Sequence, residues 1–134
     1  MKKIIILLVV LAILSVGLSA NFAANTLNNT TDLNAAISDA HSQNKSVVII
    51  FDQDNCVYCD MLKENVLSDA KVIDVLNNRS IVVFVNINQH PELATKYKAY
   101  GTPITVILDS NQQEIGRIEG YVEADEFLKT LQGI

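Results

Sequence analysis

Six residues, Ser46-Val47-Val48-Ile49-Ile50-Phe51, run without polar alternation and end five positions before the first cysteine. A β-branched run of this kind suits a strand buried on both faces, as at the centre of an α/β sheet. Asp52-Gln53-Asp54-Asn55 then reads as the turn that delivers Cys56-Val57-Tyr58-Cys59 to the sheet's C-terminal edge and to the head of a helix. These are the only two cysteines in the chain. Thiols at i and i+3 on a first helical turn lie close enough to form a disulfide without unwinding the backbone. The first sulfur also sits where unpaired backbone N–H groups and the helix dipole stabilise a thiolate. Such a pair can cycle between dithiol and disulfide, so the leading reading is redox chemistry. A purely structural bridge is disfavoured, because closing so short a loop restrains almost nothing in the unfolded chain.

A length of 134 residues allows one domain. Met1-Lys2-Lys3 precedes an apolar run from Ile4 to Leu18. A basic tip and an apolar stretch shorter than the ~20 residues of a membrane span fit a secretory signal. Gly17, Ser19 and Ala20 supply small residues for cleavage, but Leu18 makes the site imperfect. Residues 1–20 are therefore expected to be a signal peptide or an uncleaved N-terminal signal anchor, 21–30 a polar, Asn-rich linker, and 31–134 the folded domain. Either signal places that domain outside the cytoplasm, and its length suffices for its own core. Net charge is −5 with pI near 4.8 and no basic stripe, which argues against a nucleic-acid partner.

Beyond the linker, Thr31 or Asp32 can cap a helix whose apolar face is Leu33, Ala36, Ile37 and Ala40. Cys56 to Asn77 reads as helix with a break at Ser68-Asp69. Ile81–Val85 is a second buried strand, and Pro91 opens a short helix at a position where its missing N–H costs nothing. Ile104–Leu108 and Glu114–Tyr121 read as a strand pair, the latter at the sheet edge. Glu123–Leu131 closes the domain as a helix. This order predicts a mixed four-stranded α/β sheet with helices on both faces.

At these residues the chain resembles the thioredoxin fold, over about residues 31–134. The likeness rests on the CxxC between a buried strand and a helix, on Gly101-Thr102-Pro103 before the third strand, and on the passage through Gly120-Tyr121 into a final helix. The stretches CVYCDMLKENVLSD and VVFVNIN look like the secreted thioredoxin-like branch that handles thiol–disulfide exchange. The resemblance implies that Cys56 is an exposed nucleophile and Cys59 the buried resolving thiol. It implies a cis Pro103 that places the Thr102 backbone beside Cys56 to pair with an extended substrate. Cytosolic thioredoxins use Cys-Gly-Pro-Cys after a tryptophan; here Val57-Tyr58 lies between the cysteines, Asn55 precedes them, and there is no tryptophan. Thioredoxins also carry a buried aspartate paired with a lysine, and the matching positions here are Ile50 and Phe84. Losing both avoids an unpaired buried charge, yet it removes the usual proton acceptor for Cys59. Asp52 is the nearest substitute by position, although a surface role competes with that assignment.

Asp52, Asp54 and Asp60 flank the motif, and the first basic residue after it is Lys63. Carboxylates near Cys56 oppose its thiolate, and a less stabilised thiolate means a less oxidising couple. The expectation is an extracytoplasmic protein-disulfide reductase or isomerase that needs neither metal nor organic cofactor. Its partners would be protein thiols and disulfides and a second redox protein, with a membrane tether available through residues 4–18. The alternatives are an oxidising member of the fold, a non-catalytic binding module, or a metal site. For the last, His41 and His90 lie at spacings that do not pair them with the CxxC.

Overall fold

The computed structural model describes residues 25–134. The expected signal or anchor, and the linker as far as residue 24, lie outside the described residues. The chain runs β1 (Asn29–Thr30), α1 (Leu33–Gln43), β2 (Ser46–Asp52), α2 (Val57–Met61), a π-helical segment (Leu62–Val66) and α3 (Ala70–Arg79). It continues as β3 (Ser80–Asn86), α4 (Pro91–Lys96), β4 (Ile104–Leu108), β5 (Glu114–Glu119) and α5 (Ala124–Gln132).

The sheet has five strands in the order β1-β3-β2-β4-β5. β2 pairs with β3 in parallel and with β4 antiparallel, so the first apolar run is indeed the central strand. The expectation of four strands is corrected: Asn29 and Thr30, assigned to the linker, pair in parallel with Val82 and Val83 at the sheet edge. Two residues are too short to show a period in sequence. Tertiary bonds hold this strand instead, with Asn77 accepting from the Asn28 N–H and donating to the Thr26 carbonyl, both at 2.9 Å.

β2 lacks alternation because both faces are covered. Val47, Ile49 and Phe51 meet Leu33, Ala36 and Ala40 of α1 and Tyr97 on one side. Val48 and Ile50 meet Leu62 and Val66, with α3 and α5, on the other. Ile49, Ile50 and Phe51 expose nothing, and full burial of each such side chain contributes about 1.5–3 kcal/mol. Local signals set the helix ends. Asp32 caps α1 by accepting from the Ala35 N–H at 2.9 Å, and Asn44 ends it at φ 52°. The helical stretch after the cysteines breaks where expected: Asp69 caps α3 through the Lys71 and Val72 N–H groups at 2.9 and 3.1 Å. The π-helical turn before that break was not predicted. It adds a residue to the turn and keeps Leu62 and Val66 both buried against the sheet.

Candidate active site

The turn after β2 reverses through Asn55, at φ 58°, and leaves Cys56 at the N-cap of α2 in an extended conformation. Asn tolerates this left-handed geometry better than most side chains. At the N-cap, Cys56 Sγ takes the place usually held by a Ser or Asp oxygen and accepts the Cys59 N–H at 3.2 Å. Cys56 and Cys59 are joined as a disulfide, with Cα atoms 5.2 Å apart. The helix terminus therefore presents an orphan donor to the first sulfur, as the spacing predicted.

The expected exposure of Cys56 needs correction. Cys56 keeps 9% of its surface and Cys59 2%. Capping tucks the first sulfur against its own helix, and a second element covers it from the other side. That element is the loop before β4, where the Thr102–Pro103 peptide bond is cis. The Thr102 hydroxyl donates to Cys56 Sγ at 3.4 Å. The Pro103 carbonyl accepts the Gly120 N–H at 2.8 Å, which fastens this loop to the end of β5. Gly120 has φ +86°, a conformation that glycine adopts without a Cβ clash. Thr102 and Pro103 also border a shallow groove with Tyr100, Lys98 and Glu119.

Three further tyrosines differ in their surroundings. Tyr97 is buried, with its ring centroid 5.9 Å from that of Phe51. Tyr100 is 77% exposed beside Pro103, whereas Tyr121 lies 6.5 Å, centroid to centroid, from Tyr58 within the motif. Tyr58 and Val57 are themselves exposed. Exposed apolar and aromatic side chains thus stand between the two buried cysteines.

Ile50 and Phe84 are register partners on adjacent strands, so apolar packing fills the position of the familiar acid–lysine pair. Asp52 sits two residues further along β2, on the same face as Ile50, with only 14% of its side chain exposed. Its Oδ2 accepts from Lys63 Nζ at 2.6 Å, and that ammonium lies 5.4 Å from the centre of the Phe84 ring. Sequence reading noted Lys63 only as the first base after the motif. Its place one turn after Cys59, on a helix packed against β2, was the signal that could have paired it with Asp52. Asp54 accepts from Asn86 Nδ2 at 3.1 Å, which ties the turn to the end of β3.

The histidines stand apart from the cysteines. His41 Nδ1 lies 3.0 Å from the Ser110 carbonyl oxygen, and His90 Nδ1 lies 3.2 Å from Glu92 Oε1. Among the described residues no group of three or more His, Cys, Asp or Glu side chains could hold a metal ion. Nor is any described helix long and apolar enough to cross a membrane.

Comparison with known proteins agrees with this geometry. A family model described as a thioredoxin-like domain matches residues 33–134. A thiol:disulfide interchange protein, DsbD, of Yersinia pestis is 32% identical over 109 residues, covering 78% of this chain and 18% of the relative. The chain spans 18–27% of the length of the curated interchange proteins of Yersinia pestis and Campylobacter jejuni that it matches. Among solved structures, a thioredoxin from Thermus thermophilus superposes with a TM-score of 0.74 at 31% identity, covering 81% of this chain and 86% of that one. The oxidised C-terminal domain of Neisseria meningitidis DsbD gives 0.66 at 25% identity, covering 81% and 97%. With a matching family model over residues 33–134 and the disulfide seated between helix and cis-proline loop, the chain belongs to the thioredoxin-like domain family.

Proposed function

We propose that this domain is an extracytoplasmic thiol–disulfide oxidoreductase that reduces or isomerises protein disulfides through Cys56 and Cys59. One observation carries the reading: a Cys56–Cys59 disulfide sits at a helix N-terminus with the Thr102 hydroxyl donating to its first sulfur. In the reduced protein, the Cys56 thiolate attacks one sulfur of a substrate disulfide and expels the other as a thiolate. The mixed disulfide is resolved when Cys59 gives up its proton and attacks Cys56 Sγ. The second substrate thiol leaves, the Cys56–Cys59 disulfide forms, and two electrons have passed to the substrate. Asp52 is assigned as the acceptor of the Cys59 proton. The Thr102 backbone, next to Pro103, is assigned to pair with the extended substrate. A partner dithiol then returns the protein to its reduced state by the same exchange in reverse. No organic cofactor or metal takes part in this scheme.

The extracytoplasmic setting and the membrane tether rest on Lys2-Lys3 and the apolar run Ile4–Leu18. Direction rests on electrostatics. Asp54 and Asp60 keep negative charge near the dithiol, which favours donation of electrons. A second reading, as an oxidant, draws on the two donors aimed at Cys56 Sγ, the Cys59 N–H and the Thr102 hydroxyl. Both donors stabilise a thiolate and hence the reduced form.

Insulin reduction tests the activity: the wild-type domain is expected to turn over with dithiothreitol as reductant, and Cys56→Ser to be inactive. Equal turnover by Cys56→Ser would remove the catalytic assignment. Equilibration with glutathione tests direction, since a potential of about −120 mV would mark a strong oxidant instead.

A further inference from the structure

The Asp52–Lys63 ion pair joins the two elements that flank the dithiol in the chain. Asp52 ends the central strand four residues before Cys56, and Lys63 follows Cys59 by four residues in the same helical stretch. Their contact at 2.6 Å therefore spans the layer between β2 and the helix that carries both sulfurs. Asp52 has the strand parity of Val48 and Ile50, whose side chains pack with Leu62 and Val66 on the face this helix covers. The carboxylate is thus held toward the helix rather than toward bulk water, at 14% exposure.

Lys63 is more exposed than its partner, at 44%, but has a second contact. Phe84, the register partner of Ile50, offers its ring to the ammonium at 5.4 Å. An ammonium over an aromatic face gains electrostatic attraction without needing full desolvation. Phe84 thereby supplies a seat for a cation that arrives from the helix rather than from the neighbouring strand.

An unpaired carboxylate at this depth would repel a thiolate at either cysteine. Other charges nearby do not offset it. The turn contributes Asp54, the helix contributes Asp60 and Glu64, and β4 contributes no charged side chain. The uncharged hydroxyls on this side are those of Thr102, Tyr58 and Tyr121. Lys63 is the one cation in contact with a carboxylate of this group among the described residues.

We propose that Lys63 is a positioning residue for the dithiol: its ammonium pins the Asp52 carboxylate against the helix that carries the cysteines and cancels the repulsion this carboxylate would exert on their thiolates. The proposal rests on the dithiol being the redox centre, and it adds the cation that makes an acid tolerable there.

The test is the pH dependence of Cys56 alkylation by iodoacetamide in the reduced protein, for wild type, Lys63→Met, Lys63→Arg and Lys63→Met/Asp52→Asn. Methionine keeps an apolar stem over Phe84 while removing the charge. Its alkylation midpoint is expected to rise by about 0.5–1 pH unit, the low end of the shift that a nearby like charge produces. Arginine is expected to stay close to wild type. The double variant is expected to return toward wild type, because the uncompensated carboxylate is gone. An unchanged midpoint in Lys63→Met, no recovery in the double variant, or an arginine variant that behaves like methionine would each overturn the proposal. Alkylation is measured whether or not the protein turns over a substrate. Failure of wild-type insulin reduction would therefore strike the functional reading and not this one.

Discussion

The Thr102 hydroxyl donates to Cys56 Sγ across 46 positions of sequence, at 3.4 Å, and so reaches the same sulfur that caps its own helix through the Cys59 N–H. Two donors from different elements converge on one atom. A hydrogen bond to a charged acceptor is stronger than one to a neutral one, so both favour the thiolate over the thiol. Thr102→Val keeps the shape and removes one donor. Its alkylation midpoint is expected to rise by somewhat under one pH unit, the equivalent of about 1 kcal/mol. The glutathione equilibrium should move toward a more reducing couple. Thr102→Ser, which retains the hydroxyl, should change neither; an effect equal to that of valine would show that the midpoint does not report the donor.

The difference in burial between the two sulfurs assigns their order of use. Cys56 is the more accessible, at 9% against 2% for Cys59. Cys59→Ala should leave Cys56 able to attack and unable to be released, so mixed disulfides accumulate on Cys56. Non-reducing electrophoresis after alkylation should show these adducts, and Cys56→Ala should show almost none. Equal trapping by both variants would abolish the assignment, and trapping by Cys56→Ala alone would reverse it.

The central strand and the motif were legible because each leaves a local mark. A run from Val47 to Phe51 without polar residues suits burial on both faces, and two cysteines at helical spacing name their own chemistry. The breaks at Asp32 and Asp69 were legible for the same reason, since a capping carboxylate acts within three residues. What escaped is what depends on contact between distant segments. Asn29–Thr30 is strand only because β3 offers it an open edge. Lys63 is a site residue only because the helix lays it across Asp52 and Phe84. The loss of the acid–lysine pair at Ile50 and Phe84 could be read from sequence, but not that a cation would still arrive at the Phe84 ring.

Ile50 tests whether apolar packing has closed its position to charge. It exposes nothing and belongs to the cluster with Leu62, Val66 and Phe84. Ile50→Asp places a carboxylate there with no lysine in register. A cost of about 3–5 kcal/mol is expected from an uncompensated buried charge. Urea unfolding should show the loss as a fall in midpoint at unchanged slope. A loss under about 1 kcal/mol would mean that Lys63 can swing to serve the new carboxylate.

On the far side of the sheet, Arg117 ties β5 to the end of α4, the segment that leads into the cis-proline loop. It donates to both Glu114 oxygens at 2.7 and 3.0 Å and to the Tyr97 carbonyl at 2.7 Å. The Arg117 hydrogen bonds hold the Glu114 carboxyl below its ordinary value near 4.5, against an opposing effect of partial burial. Because the folded-state value is the lower one, this contribution is complete above the unfolded value and disappears as pH falls through the folded one. The Glu114 side chain is 41% exposed, so solvent screening limits the effect to about 0.5 kcal/mol. Glu114→Gln should remove that acid-limb loss, seen as a flatter stability profile below about pH 5. Arg117→Ala should cost more, about 1–2 kcal/mol at neutral pH, because it also leaves the Tyr97 carbonyl unpaired.

The tyrosines near Pro103 separate stability from recognition. Tyr97 packs on Phe51 at 9% exposure, and its truncation to alanine should cost about 3–5 kcal/mol, as for other buried aromatic residues. Tyr100 is 77% exposed, so Tyr100→Ala should leave the unfolding midpoint within about 0.5 kcal/mol of wild type. An aromatic ring held in water beside the groove at Pro103 gains by covering an apolar partner. Tyr100→Ala should therefore raise KM for a protein disulfide several-fold while leaving the rate with a small disulfide such as dithionitrobenzoate unchanged. The small substrate reaches the sulfur without touching the rim. Equal losses with both substrates would place Tyr100 in the geometry of the dithiol, and no loss with either would remove it from the docking surface.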